Sequence, residues 1–233
     1  MIVILVSCSK NDDINNNSLS TYILNKTIEI GAVIACAASD EVTNDVLVFY
    51  YPETGASNIR LYETTDTEAD KNEFSNYLKI ETEPFPFFNG YLGKFVRDVS
   101  TEKWAIVTFE LNGEIKISNP ILTKHISKPS VWTEDVSINQ LQTGMPNFNW
   151  TDNAFGDNAI YFQVVSDIQN NLLSGTYTFE NQFQYYNTSN VVLNITTQTP
   201  TELTIGTSYN FTLMDISEDN WVNSIIQKTF GAQ

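Results

Sequence analysis

Trp104-Ala105-Ile106-Val107-Thr108-Phe109-Glu110-Leu111-Asn112-Gly113-Glu114-Ile115-Lys116-Ile117 decides the fold class. Two runs rich in β-branched and aromatic residues flank Asn112-Gly113. That dipeptide favours a two-residue hairpin turn, because both of its residues accept the positive φ that the turn requires. The segment predicts two antiparallel strands joined by a tight turn, and hardly a helical period recurs anywhere in the chain.

Working outward, similar runs return between turn signals. Residues 28–38, 46–51 and 58–63 read as strands, the second closed by Pro52-Glu53-Thr54-Gly55. Ser127-Lys128-Pro129 marks a boundary, after which residues 147–150, 159–165, 175–179, 191–196 and 208–213 read as strands. Ile160, Phe162 and Val164 fall on alternate positions, the pattern of a half-buried strand. Residues 67–77 hold the one plausible helical turn, read as an exposed connector. The expectation is an all-β protein of two tandem antiparallel β-sandwiches.

At 233 residues with 42% hydrophobic and 12% aromatic content, the chain can bury a sizeable core. Twenty-eight acids against 12 bases give a net charge of −16, and no basic run interrupts it. A polyanionic backbone would be repelled, so nucleic acid is excluded as a partner class. Residues 128–233 carry ten acids and only Lys128 and Lys228 as cations, a net of −8.

The N-terminus reads Met1-Ile-Val-Ile-Leu-Val-Ser-Cys8, an apolar run too short to span a bilayer. A polar tract without periodicity follows, Ser9-Lys10-Asn11-Asp12-Asp13 onward, as expected after the end of a secretory signal. Leu5-Val6-Ser7-Cys8 resembles a bacterial lipobox, and Ser9 to Asp13 resembles the stretch that follows the lipid cysteine in surface-exposed Bacteroidetes lipoproteins. The resemblance implies a palmitate-bearing Cys8 and a lipid-anchored protein of the outer membrane, exposed at the cell surface. No basic n-region precedes the apolar run, as expected of a start placed too late or of a trimmed chain. The expected organisation is a truncated lipoprotein signal over 1–8, a flexible tether over 9–22, and sandwiches over 23–127 and 128–233. With Cys8 lipidated, no disulfide is available within the chain, and Cys36 reads as a buried small hydrophobe.

Several pieces resemble fibronectin type III domains. Leu203-Thr-Ile-Gly206-Thr-Ser-Tyr209-Asn-Phe211-Thr-Leu213 is similar to that family's sixth strand, and Phe148-Asn-Trp150 to its second strand with a core Trp. In the first half, residues 48–62 resemble the second and third strands, and Ile117-Ser-Asn-Pro120-Ile121 the entry to the last. The resemblance implies immunoglobulin-like sandwiches in which Tyr209 forms a corner hydrogen bond. Trp104 stands where the first half would need its corner Tyr.

Catalytic constellations are not evident. His125 is the one histidine and has no Gly-x-Ser-x-Gly elbow to serve, so it reads as a partly exposed strand-end residue. It does not cluster with Cys8 and Cys36 as a zinc site would require. Two loops of the second half, residues 151–158 and 215–221, are expected at one end of the sandwich. They would bring Asp152, Asp157, Asp215, Glu218 and Asp219 together beside Phe155 and Trp221. Such oxygens suit Ca²⁺, and an exposed aromatic among amides suits a sugar ring. The alternative is a pair of solvated turns with Trp221 packed under the last strand. The functional expectation is a non-catalytic, lipid-anchored binding or spacer module with an extracellular protein or glycan ligand. The competing class is a glycan-binding accessory or glycan-active enzyme.

Overall fold

The computed structural model describes residues 17–196 and 198–233, so Cys8 and most of the expected tether lie outside the described residues. The first half supplies β1 (Ile28–Val33), β2 (Ala35–Ser39), β3 (Val46–Tyr50), β4 (Ser57–Glu63), β5 (Leu78–Ile80), β6 (Phe85–Phe87), β7 (Leu92–Arg97), β8 (Trp104–Leu111), β9 (Glu114–Ser118) and β10 (Ile121–Leu122). The second half supplies β11 (Val131–Thr133), β12 (Ser137–Asn139), β13 (Asn147–Asn149), β14 (Ile160–Asp167), β15 (Leu172–Thr178), β16 (Gln182–Gln184), β17 (Val191–Asn194), β18 (Ser208–Ile216) and β19 (Val222–Gly231). The protein is all-β, as its sequence predicts.

The deciding hairpin forms as read. Leu111 pairs with Glu114 across a two-residue turn, with φ of 53° at Asn112 and 83° at Gly113. These β8 and β9 strands belong to a first sheet ordered β1-β9-β8-β4-β5, with β10 on β8. A second sheet runs β2-β3-β7-β6, a third β11-β19-β18-β14-β15-β17 and a fourth β12-β13-β16. Pairing between these strands is antiparallel except where β1 meets β9 and β11 meets β19, both of which are parallel.

The four sheets stack face to face. Sheets one and two enclose a core of Val46, Val48, Tyr50, Leu61, Phe95, Val107 and Phe109. Sheets three and four enclose Phe148, Trp150, Tyr161, Val165, Phe183, Phe211 and Leu213. A further core joins sheet two to sheet three, with Leu47, Phe49 and Leu92 against Phe162, Val164, Tyr177, Met214 and Ile225. The sandwiches are therefore fused across a seam instead of strung as beads.

This fusion explains strands that do not alternate. All five residues of β3, Val-Leu-Val-Phe-Tyr, are buried, because Val46, Val48 and Tyr50 face one core and Leu47 and Phe49 face the next. Strands buried on both faces read as continuous apolar runs. The half-buried reading of Ile160, Phe162 and Val164 needs the same correction. Those residues face the seam, while Tyr161 among them and Val165 just after them are buried in the second sandwich.

The outer face of sheet one is covered by the chain entering the fold. Ser18 caps a short helix α1 (Leu19–Ile23), its hydroxyl accepting from the Thr21 N–H at 3.2 Å, and it bridges to Leu78. Leu19 is fully buried with Tyr62, Tyr77, Ile106 and Ile117. Residues 18–22, expected within the tether, are instead folded, because an apolar face of sheet one needs this cover. The connector over 67–77 departs from its reading too. It holds a single 3-10 turn, Phe74–Asn76, and Tyr77 is buried with its hydroxyl donating to the Lys71 carbonyl at 2.8 Å.

Tyr209 forms the corner. It is buried against Phe230 in the second sandwich, and its hydroxyl accepts from the Thr204 N–H at 2.9 Å. Tyr209→Phe should cost about 1 kcal/mol, since the Thr204 amide then loses its partner in a part-buried bond. Urea unfolding of the two proteins measures this directly, and identical midpoints would mean the corner bond carries no stability. Trp104 fills the matching place in the first half differently, its indole N–H donating to the Thr67 carbonyl at 3.1 Å.

Candidate functional site

The loop between β18 and β19 does not reach out for a ligand; it reaches back into the first half. Trp221 is completely buried there among Ala37, Val48, Phe95 and Ile121. Its indole N–H donates to the Lys128 carbonyl at 2.9 Å, and its backbone pairs in parallel with Ala37. Asn220 accepts from the Ala37 N–H at 3.0 Å and donates through its side chain to the Pro120 carbonyl at 3.0 Å. Asp219 pairs with the Lys124 ammonium and accepts from the Ser217 hydroxyl at 2.6 Å. Burial works against its charge, but these two partners outweigh burial and hold the carboxyl below its usual range. The seam is further closed by Ser39 and Ser130, each hydroxyl accepting from the other residue's N–H at 2.7 and 3.0 Å. Trp132 adds an indole bond to the Ser39 carbonyl at 3.0 Å.

The residues singled out as a loop site therefore part company. Trp221 and Asp219 belong to this clasp, so Trp221 offers no exposed ring. Asp157 and Glu218 are exposed, and the Asp157 carbonyl accepts from the Asn223 side chain at 3.1 Å. Asp152 stays close enough to Asp215 to raise its carboxyl. Among the described residues no three His, Cys, Asp or Glu side chains are grouped to hold a metal ion.

Asp215 sits instead on a cavity of about 100 Å³ at the loop end of the second sandwich. Trp150, Tyr161, Leu213 and Ile226 form its apolar wall, and Phe155, Thr151, Thr133 and Asp135 also line it. Tyr161 meets Trp150 edge-on at 5.1 Å, and its hydroxyl donates to Asp152 at 2.7 Å. Asp215 is 3% exposed and Trp150 6%. Among the described residues, Oδ1 of Asp215 and Nε1 of Trp150 find no hydrogen-bond partner. They are two of ten such buried side-chain atoms among the described residues, and what sets them apart is that both residues line the same cavity.

Burial is the main cause that raises the Asp215 carboxyl to about 6, with Asp152 adding to the rise and Asn223 and Lys128 opposing it. Its folded value lies above the unfolded one of about 4, so the carboxyl favours folding fully only below about pH 4. That contribution is lost as the pH rises through about 6. Asp215→Asn should therefore gain on the wild type across this window, by up to about 2 kcal/mol at neutral pH. Denaturant unfolding of both proteins from pH 4 to 7 measures the difference. A gap that stays flat or narrows with rising pH would contradict the assignment.

A second cavity, about 210 Å³, lies at the seam between Cys36, Phe49, Phe162, Tyr177 and Met214. Cys36 is buried as its sequence context predicts, and desolvation lifts its thiol to about 12, far from a reactive thiolate. His125 is buried and not partly exposed, with Nε2 at 3.0 Å from the Val99 carbonyl. Sequence reasoning missed Tyr161, Thr133 and Asp135 as cavity residues, and no local signal distinguishes them from ordinary strand and loop positions.

No protein-family model matches the chain, and no curated protein matches it. Among solved structures it is similar to the chicken interferon gamma receptor alpha chain, at 8% identity and TM-score 0.25, covering 85% of this chain and 96% of that one. The receptor tyrosine kinase Torso is similar at 11% identity and TM-score 0.28, over 90% of this chain and 76% of that one. The BSP domain of a biofilm associated protein is similar at 15% identity and TM-score 0.29, over 91% of this chain and 32% of that one. Scores this low carry nothing about function. Among the described residues no helix is long and apolar enough to cross a membrane.

Proposed function

We propose that the chain is a non-catalytic module held at a bacterial cell surface by lipid on Cys8, with two fibronectin type III-like sandwiches fused into one binding or spacing unit. The observation that supports it most is the seam core, which joins sheet two to sheet three and so makes one unit of the two sandwiches. Helix α1 covers the outer face of sheet one, and the Asp215 cavity lies between sheets three and four. With sheets about 10 Å apart, the stack would carry that cavity roughly 20–30 Å beyond the entry of the chain. The Tyr209 corner supports the fibronectin-like reading of the second sandwich. The chemically active residue types support a role without catalysis, since His125 and Cys36 are packed into the interior.

The anchor is tested by palmitate labelling and fractionation of cells making the full precursor. The wild type should take up label and sediment with membranes, and Cys8→Ala should do neither. One acyl chain holds a protein marginally and two or more hold it stably. An unlabelled, soluble wild type would remove the anchor and the cell-surface assignment with it. Protease accessibility on intact cells then reports whether the module faces outward.

A further inference from the structure

We propose that the cavity bounded by Trp150, Tyr161 and Asp215 is a subsite for a carbohydrate hydroxyl group, a hydroxymethyl arm above all. The chemistry of its two orphaned atoms selects the ligand. An indole N–H only donates and an ionised carboxylate only accepts. A hydroxyl has one proton to give and lone pairs to receive, so a single oxygen can answer both groups at once. A metal ion or an ammonium group would satisfy Asp215 and leave the indole N–H without an acceptor. An anion would leave Asp215 unanswered and would approach a chain of net charge −16.

Size and surroundings point the same way. The cavity holds about 100 Å³, more than the roughly 30 Å³ that one water occupies in the liquid. That leaves room for a hydroxyl with the carbon that bears it. Tyr161, Leu213 and Ile226 supply an apolar wall for that carbon, and the partly exposed Phe155 gives an aromatic surface for a sugar ring. Thr133, Thr151 and Asp135 add polar groups for neighbouring hydroxyls. Asp215 is held in place through Asn223, whose side-chain oxygen accepts from the Lys128 ammonium at 2.6 Å. This deepens the binding half of the proposed function but does not depend on the lipid anchor. Failure of the labelling experiment would leave it standing, and its own failure would leave the spacer reading standing.

The test follows the Trp150 indole N–H by nitrogen-proton NMR in the full chain, its resonance identified by its loss in Trp150→Phe. The probes are the methyl glycosides of glucose, galactose and mannose, the methyl xyloside that lacks a hydroxymethyl arm, and acetamide. The Trp150 resonance should move saturably with at least one hexoside and at least tenfold more weakly with the xyloside. Asp215→Asn, whose melting confirms that it folds, should weaken the response at least tenfold. An indole resonance that no hexoside moves would mean the cavity holds water only, and the proposal would be wrong. A response to acetamide alone would overturn it in favour of an amide ligand.

Discussion

Trp221→Ala should destabilise the entire chain by about 3–5 kcal/mol, the range for a large aromatic removed from a core. The residue comes from the second half of the sequence, yet all of its surface is buried in the core of the first sandwich. Truncation would empty a space between Ala37, Val48 and Phe95 and leave the Lys128 carbonyl without its 2.9 Å donor. It would also loosen the Ala37 pairing that brings Asn220 onto the first half. Trp221→Phe should cost less, since a ring still fills most of the space and only the indole bond and some volume go. Guanidinium unfolding of the three proteins ranks them, and a loss under about 1 kcal/mol for the alanine variant would show that the loop is not a clasp.

The second large effect is expected inside the first sandwich. Glu63 on β4 and Arg97 on β7 join sheet one to sheet two through two parallel bonds, 2.8 Å from Nε and 3.2 Å from Nη2. Lys103 adds a contact at 3.5 Å, and the Glu63 side chain is only 6% exposed. Removing one member of such a pair leaves its partner charged in a place that solvates it poorly, at a cost of about 3–5 kcal/mol. Glu63→Ala should fall near the lower end, about 3 kcal/mol, because the Arg97 side chain keeps 22% of its exposure. Replacing both residues with apolar ones of similar volume should cost less than Glu63→Ala alone. Thermal melts of the single and double variants, joined in a cycle, measure it. A double variant worse than the sum of the single ones would contradict the buried-pair account.

How much of this was legible in the sequence depends on distance along the chain. The hairpin over Trp104 to Ile117 and the Tyr209 corner are local, set by residues within a few positions of each other, and both were readable. The unbroken apolar run of β3 carried a readable sign of two-sided burial, but only a neighbouring sheet gives that sign a meaning. The helix at Ser18 was hidden because its reason for existing is the apolar face of Tyr62, Ile106 and Ile117, far along the chain. The loop site misled for the same cause. Asp219 and Trp221 look like loop residues by spacing, yet Lys124, Lys128 and Ala37 claim them from 93 to 184 positions away by residue number. The cavity around Asp215 drew Asp215 and Phe155 from the expected loop site and most of its apolar wall from strands that carry no mark of it.

The central claim is that two sandwiches share one continuous core across sheets two and three. It is tested most directly by comparing the calorimetric enthalpy of unfolding with the van't Hoff enthalpy of the same transition in the full chain. A fused core predicts a single transition in which the two enthalpies agree, followed equally by far-ultraviolet dichroism and tryptophan fluorescence. Two transitions, with the dichroism and fluorescence midpoints separated, would mean that the halves fold independently and that the seam is only a contact.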